Sequence, residues 1–161
     1  MRGWLLTALI AAHGGAAVQP STKPQTPNRA PALLRIIAIN VQPSQTAPAT
    51  LHQLKVRVGN SGREPASDLR FQVSINGQRL PIYANQSYMA LVPAGKEIDV
   101  QLYNFWSGDA GRPFPKDGRL AIEVQLTGAR WVNQTAGLGT GKEVQPLPAP
   151  LSVIITSGTK P

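Results

Sequence analysis

No cysteine occurs anywhere in the sequence. Disulfide bonds, thiolate metal sites and lipid attachment through an N-terminal cysteine are therefore excluded. Histidine is almost as scarce, since only His13 and His52 carry an imidazole. No apolar run is long enough to cross a bilayer, so we expect no transmembrane segment in the mature chain. Because cysteine is absent and histidine is scarce, few side chains could act in catalysis or bind a metal. We therefore expect no bound cofactor and no metal.

Charged residues make up only 15% of the chain, whereas glycine and proline number 15 each. This composition fits many short strands and turns better than helices. The formal net charge of +8 is typical of proteins that meet anionic partners. Nucleic acid is nevertheless not expected, because several basic side chains on the predicted strands have acidic partners across the sheet and no basic-aromatic RNA signature is present.

The N-terminus has the three parts of a secretory signal. A positive residue, Arg2, precedes an apolar run at residues 4–12, and small residues follow at 13–17. We predict a signal peptide over residues 1–17, cleaved after Ala17, and therefore an exported protein that is periplasmic or secreted. Residues 18–32 contain four prolines and no apolar periodicity, which predicts a disordered Pro-rich linker.

The hydrophobicity of the body of the chain varies with a period of two residues. Apolar and polar residues alternate over residues 37–41, 54–58, 69–75, 98–102 and 120–126. Asn76-Gly77 is a strong two-residue hairpin signal; shorter strands are expected near residues 79–83, 88–92 and 151–156. Each strand then has one apolar face, which two packed sheets would hide. The pattern predicts an all-β, immunoglobulin-like β-sandwich of seven or eight antiparallel strands over residues 33–156, with Ile122 facing inward and a C-terminal tail at 157–161.

Two runs resemble the front half of bacterial CARDB-type domains. The run VRVGNSGREPASDLRFQVSINGQ (56–78) has a strand that ends in an N-x-G turn and a second strand that ends at an N-G hairpin. The run LVPAGKEIDVQL (91–102) is similar to the turn before a later strand of that family, with Ala94 inserted. The resemblance implies an extracytoplasmic adhesion or accessory module. It implies no catalytic residue, because the family has no common one.

Motifs that look chemical have simpler explanations. Residues 137–142 (GLGTGK) suggest a nucleotide-binding loop, but Ala136 replaces a required glycine and Glu143 replaces the required Ser or Thr. His52 has no nucleophile signature nearby, and we expect it to be a solvated residue where a strand begins. We therefore predict that the protein is not an enzyme.

Paired carboxylates are a further source of acid–base chemistry. Glu97 and Asp99 share one face of a predicted strand. On the immunoglobulin pattern that strand lies beside the one that carries Lys55 and Arg57. We therefore predict cross-strand charge pairs on a solvated face.

Aromatic residues supply the candidate partner-binding surface. They cluster at the end of one strand and in the segment 127–149, so we predict a contact surface at one end of the sandwich formed by 103–114 and 127–149. Strand parity places Trp106 inward and Tyr103 and Phe105 outward. Either Trp106 plugs the core, or the cluster is an exposed platform for a protein or a sugar ring. The candidate residues are Tyr103, Phe105, Trp106, Arg112, Phe114, Arg130 and Trp131.

Together these observations predict a non-catalytic binding or accessory module of the cell envelope. We expect it to act through contact with another envelope or extracellular protein. The alternative is a carbohydrate-binding module of the envelope, with a polysaccharide as the partner. Exposed aromatics with polar neighbours would then bind the sugar, and Trp106, Trp131 and Asn104 are the candidates.

Overall fold

The computed structural model describes residues 33–81, 87–108, 114–132, 135 and 137–157. The predicted signal peptide and linker, and all of the predicted tail except residue 157, lie outside these ranges. The described chain forms eight strands: β1 (Leu34–Gln42), β2 (Thr50–Asn60), β3 (Ala66–Ile75), β4 (Gln78–Arg79), β5 (Ser87–Tyr88), β6 (Glu97–Ser107), β7 (Arg119–Trp131) and β8 (Leu151–Thr156). In these same ranges no helix has the length and apolar content needed to span a membrane.

The strands form two antiparallel sheets. The first has the order β1-β2-β6, and the second has the order β4-β3-β7-β8, with β5 also paired to β3. Apolar residues of both sheets belong to one buried cluster. The all-β prediction is confirmed, and two antiparallel sheets that share a core are compatible with a β-sandwich.

Alternation is uninterrupted along Phe71–Ile75 of β3 and its partner Ile122–Leu126 of β7, and the register shifts of this pair all lie before Phe71. Phe71 pairs with Leu126 and Val73 with Val124, and all four side chains are buried. The register also brings Ile75 opposite Ile122, which is fully buried. The predicted inward orientation of Ile122 is therefore confirmed. β7 continues to Trp131, so the first residues of the segment 127–149 belong to this strand.

A β-bulge reverses the facing of β6 partway along the strand. Gln101 pairs with Lys55 and Tyr103 with Leu54, so Leu102 is one extra residue with no partner on β2. Before the bulge Val100 is buried; beyond it Phe105 is 1% exposed and Trp106 is 52% exposed. The predicted orientations of Phe105 and Trp106 are therefore wrong. The sequence prediction assumed a strict period of two. Because the bulge inserts one residue, every side chain beyond it lies on the face opposite to the predicted one.

His52 is a core residue rather than the solvated one that was predicted. Its side chain is fully buried, in phase with Leu54 and Val56 on β2. The ring stacks on Phe105 with centroids 5.1 Å apart, and Nδ1 lies 2.9 Å from the carbonyl oxygen of Pro43. His52 is buried because it lies on the inward face of β2, although histidine is more often exposed.

Candidate binding surface

The structure separates the five candidate residues whose side chains it describes between opposite ends of the sheets. β6 ends at Ser107, near Ile75, while β7 ends at Trp131, which pairs with Ala66 at the start of β3. The nine-residue step from Ala66 to Ile75 corresponds to about 30 Å of strand. For the residues that the structure describes, the prediction of one surface formed by 103–114 and 127–149 is therefore wrong. We call the two regions the Ser107 end and the Trp131 end.

Phe105, Trp106 and Phe114 lie at the Ser107 end, where Phe114 packs against Gly108. Arg130 and Trp131 belong to the other end. Arg112 and the side chain of Tyr103 lie outside the part of the chain that the structure describes, so their placement in a surface stays a prediction.

The Trp131 end is built around the N-x-G turn that follows β2. The Asn60 side chain accepts a hydrogen bond from the Gly62 amide at 2.8 Å and donates to the Glu64 carbonyl at 2.8 Å. Trp131 covers this turn so closely that a Cβ on Gly62 would lie 3.3 Å from its ring. A cavity of about 490 Å³ opens beside the ring, lined by Leu33, Ser61, Gly62, Arg63, Glu64, Trp131 and Gln145. Trp131 is half-buried there and packs against the turn.

Arg130 is engaged in ion pairs. Its guanidinium lies 3.3 Å from Asp68 and 3.1 Å from Glu143, and Arg70 donates to Glu143 at 2.7 Å. The charges of these two arginines and two carboxylates cancel. The four side chains fasten the segment around Gly139 to the second sheet, because Arg130 also donates to the Gly139 carbonyl. Arg130 is therefore a poor candidate for an anion-binding residue.

Trp106 is the exposed aromatic side chain among the described residues of the Ser107 end. Trp106 pairs across the strands with Leu51, and the two side chains are 52% and 41% exposed. Cross-strand partners have Cβ atoms about 5 Å apart, so the two form one apolar patch on the outward face of the first sheet. A cavity of about 210 Å³ lies next to it, lined by Ile75, Asn76, Gln78, Phe105, Trp106, Ser107, Gly108, Pro115 and Leu120. Phe105 belongs to the core beneath this patch.

Two rows of polar side chains continue from the patch along the first sheet. Each row crosses all three strands, and we call them the amide rows. In the nearer row Gln53 pairs with Gln42 on one side and Asn104 on the other. In the next row Lys55 pairs with Asn40 and Gln101. Only Asn104 was a candidate from the sequence. The amide rows depend on cross-strand register, which alternation within single strands does not supply.

The far part of this face carries one of the cross-strand charge pairs that the sequence predicted. Lys55 and Glu97 do not form another, because they lie opposite Gln101 and Gly59. Arg57 lies opposite Asp99 and donates two hydrogen bonds to its carboxylate, at 2.8 and 3.1 Å. These hydrogen bonds, with the positive charge of Arg57, hold the pKa of Asp99 below its ordinary value. Both side chains are nearly half exposed, and their charges cancel. Solvated ion pairs of this kind contribute little to stability.

Comparisons with known proteins identify no relative. No protein-family model, no curated protein and no solved structure matches this chain. The resemblance of residues 56–78 to CARDB-type domains stays a prediction that rests on turn residues.

Proposed function

We propose that this chain is an exported, non-catalytic binding module of the cell envelope, and that it contacts its partner through the outward face of the first sheet. The observation that carries the proposal is the exposed patch of Trp106 and Leu51. Tryptophan is enriched among residues that dominate binding energy, because its large ring buries much apolar surface on contact. Export rests on the signal-like pattern of residues 1–17.

An immunoglobulin-like fold is part of the same proposal. With β1, β2 and β6 taken as strands A, B and E, and β3, β7 and β8 as C, F and G, the two sheets follow the immunoglobulin order. β4 then takes the position beside strand C that extends the second sheet. Domains with this architecture serve widely at cell surfaces, so the strand order supports a binding role by analogy only.

The surroundings of the titratable side chains support a non-catalytic role. His52 is buried under Phe105, where a substrate would not reach its ring. Asp99 is bound to Arg57, and that pair lowers its pKa, the reverse of the shift that a carboxyl acting as a general acid near neutral pH would need. Acid–base catalysis by either group is therefore disfavoured by its contacts.

Two classes of partner fit the exposed patch. An envelope or extracellular protein would bury Trp106 as an anchor in an apolar pocket. A polysaccharide would place a sugar ring on the indole and its hydroxyls on neighbouring polar groups. The second class is favoured by one specific observation, since the amide rows lie directly beside the patch.

Capture experiments with the purified protein test the proposed surface. Solubilised envelope extract is passed over the immobilised wild type, Trp106→Ala and Ile154→Ala. Ile154 is a matched control, because it is 56% exposed and lies on β8 of the second sheet. We expect Trp106→Ala to lose the captured component and Ile154→Ala to retain it. Equal capture by wild type and Trp106→Ala would refute the surface.

A further inference from the structure

The amide rows have an unusual composition for a solvated sheet face. Soluble proteins place many lysines, arginines and carboxylates on such surfaces. Here five of the six positions carry a carboxamide, and the sixth is Lys55. The amides come from all three strands of the first sheet. They are Asn40, Gln42, Gln53, Gln101 and Asn104.

Most of these carboxamides are available to a ligand. Gln101 uses its NH₂ group to donate to the Leu54 carbonyl at 3.2 Å. Within the part of the chain that the structure describes, no side-chain hydrogen bond is formed by the other four, which are also exposed: Asn40, Gln42, Gln53 and Asn104. Each offers two donors and a carbonyl acceptor. A ligand that presents many neutral hydrogen-bond donors and acceptors would therefore complement the amide rows.

The spacing places the amides within reach of one extended ligand that also touches Trp106. Neighbouring strands are about 4.8 Å apart, and side chains two residues apart on one face are separated by about 7 Å. The row of Gln42, Gln53 and Asn104 lies one such step from the pair of Leu51 and Trp106. A flat apolar ring therefore borders a grid of hydrogen-bonding groups.

Other ligands fit this face less well. A protein partner draws its binding energy from a desolvated apolar centre, but the patch has only Trp106 and Leu51, and beside it lie amides. Nucleic acid or an anionic membrane would require clustered cations, yet Lys55 is the single charge in the amide rows. A sugar chain has hydroxyls for the carboxamides and apolar C–H faces for the indole.

We infer that the outward face of the first sheet binds a hydroxyl-rich glycan, with one sugar ring on Trp106 and its neighbours on the amide rows. This inference rests on the proposed function and specifies its ligand. Lys55 lies between Asn40 and Gln101, where it can donate to a hydroxyl or to the carboxylate of an acidic sugar. Neutral and acidic glycans both offer hydroxyls to the carboxamides. They differ in the group that they present to Lys55, which is a hydroxyl in the first case and a carboxylate in the second.

Affinity gel electrophoresis tests the inference. The purified protein is run through gels that contain a neutral glucan, an acidic polyuronate or the polysaccharide extracted from the source envelope. We expect at least one gel to retard the wild type. The double change Gln53→Ala with Asn104→Ala should weaken that retardation about fivefold or more, because two hydrogen bonds are lost. Gln125→Ala is the matched control, an exposed amide on the second sheet that should leave retardation unchanged.

The arms of the experiment separate the possible outcomes. If Lys55→Gln weakens binding to the polyuronate alone, Lys55 binds a carboxylate of an acidic sugar. An equal loss with both classes shows that Lys55 binds a hydroxyl that both share, and no loss with either shows that Lys55 does not contact the glycan. If no polysaccharide retards the wild type while Trp106→Ala still loses an envelope protein in the capture experiment, the glycan inference is overturned and the proposed function stands. If Trp106→Ala changes neither retardation nor capture, both are wrong.

Discussion

Phe105 and Trp106 are adjacent in sequence but have different environments. Phe105 is 1% exposed and stacks on His52, whereas Trp106 is 52% exposed on the other side of β6. Phe105→Ala should destabilise the protein by about 3–5 kcal/mol through lost burial and a cavity. Trp106→Ala should cost about 1 kcal/mol or less, as is usual for exposed positions. Urea unfolding of both variants measures the difference, and comparable losses would contradict the assigned facing of β6.

Asp99 provides a residue-scale test of the charged part of the same face. Hydrogen bonds from Arg57, together with its charge, lower the pKa of Asp99, so the carboxylate favours the folded state above the ordinary aspartate pKa. That contribution is lost as the pH falls through the lowered value. Carbon-13 NMR titration of the Asp99 carboxyl should therefore show a pKa below the ordinary one, and Arg57→Gln should raise it. An unchanged pKa in Arg57→Gln would show that the pair does not form in solution.

At the scale of the strands, Phe71–Ile75 of β3 and Ile122–Leu126 of β7 were predictable because nothing interrupts the alternation along these stretches. Phe71, Val73 and Ile122 face inward as their positions require. β6 was predictable only as far as Leu102, since a bulge inserts a residue without leaving a marked signal in the sequence. The positions of Trp106 and Phe105 therefore could not be derived from parity, although their presence on this strand could.

The segment after β7 is held by side chains rather than by strand pairing alone. Glu143 accepts hydrogen bonds from Arg70 at 2.7 Å and from Arg130 at 3.1 Å, at a point where residue 143 bridges to β7. Glu143→Ala should speed amide hydrogen exchange over residues 137–144, because both arginines lose this partner. Since the groups are more than a third exposed, we expect the global stability to fall by only about 0.5–1 kcal/mol.

Glu123→Ala is the control for that change. Glu123 is also exposed, and it lies on β7 opposite Ser74 and Ser152. Exchange over residues 137–144 should be the same in Glu123→Ala as in the wild type. If Glu143→Ala exchanges no faster there than Glu123→Ala, the ion pairs do not hold the segment.

At the scale of the whole molecule, the sequence supplied aromatic candidates but grouped the described ones wrongly. Trp106 and Trp131 were expected at one end, and Asn104 was the only member of the amide rows among the candidates. Strand directions place Trp131 at the opposite end, where it packs against Gly62. Neither that separation nor the amide rows follows from local pattern, because both depend on how distant strands pair.

The two tryptophans of the chain from residue 18 onward give the most direct test of the binding surface. The sequence has three tryptophans, and Trp4 lies in the predicted signal peptide, so two indole N–H resonances should appear in a nitrogen-15 NMR spectrum. We expect titration with the polysaccharide that retards the protein, or with the captured envelope protein if none does, to shift the Trp106 indole. The backbone amides of Gln53 and Asn104 should shift with it, while the Trp131 indole stays in place. A shift of Trp131 without Trp106 would contradict the assignment of the surface to the first sheet.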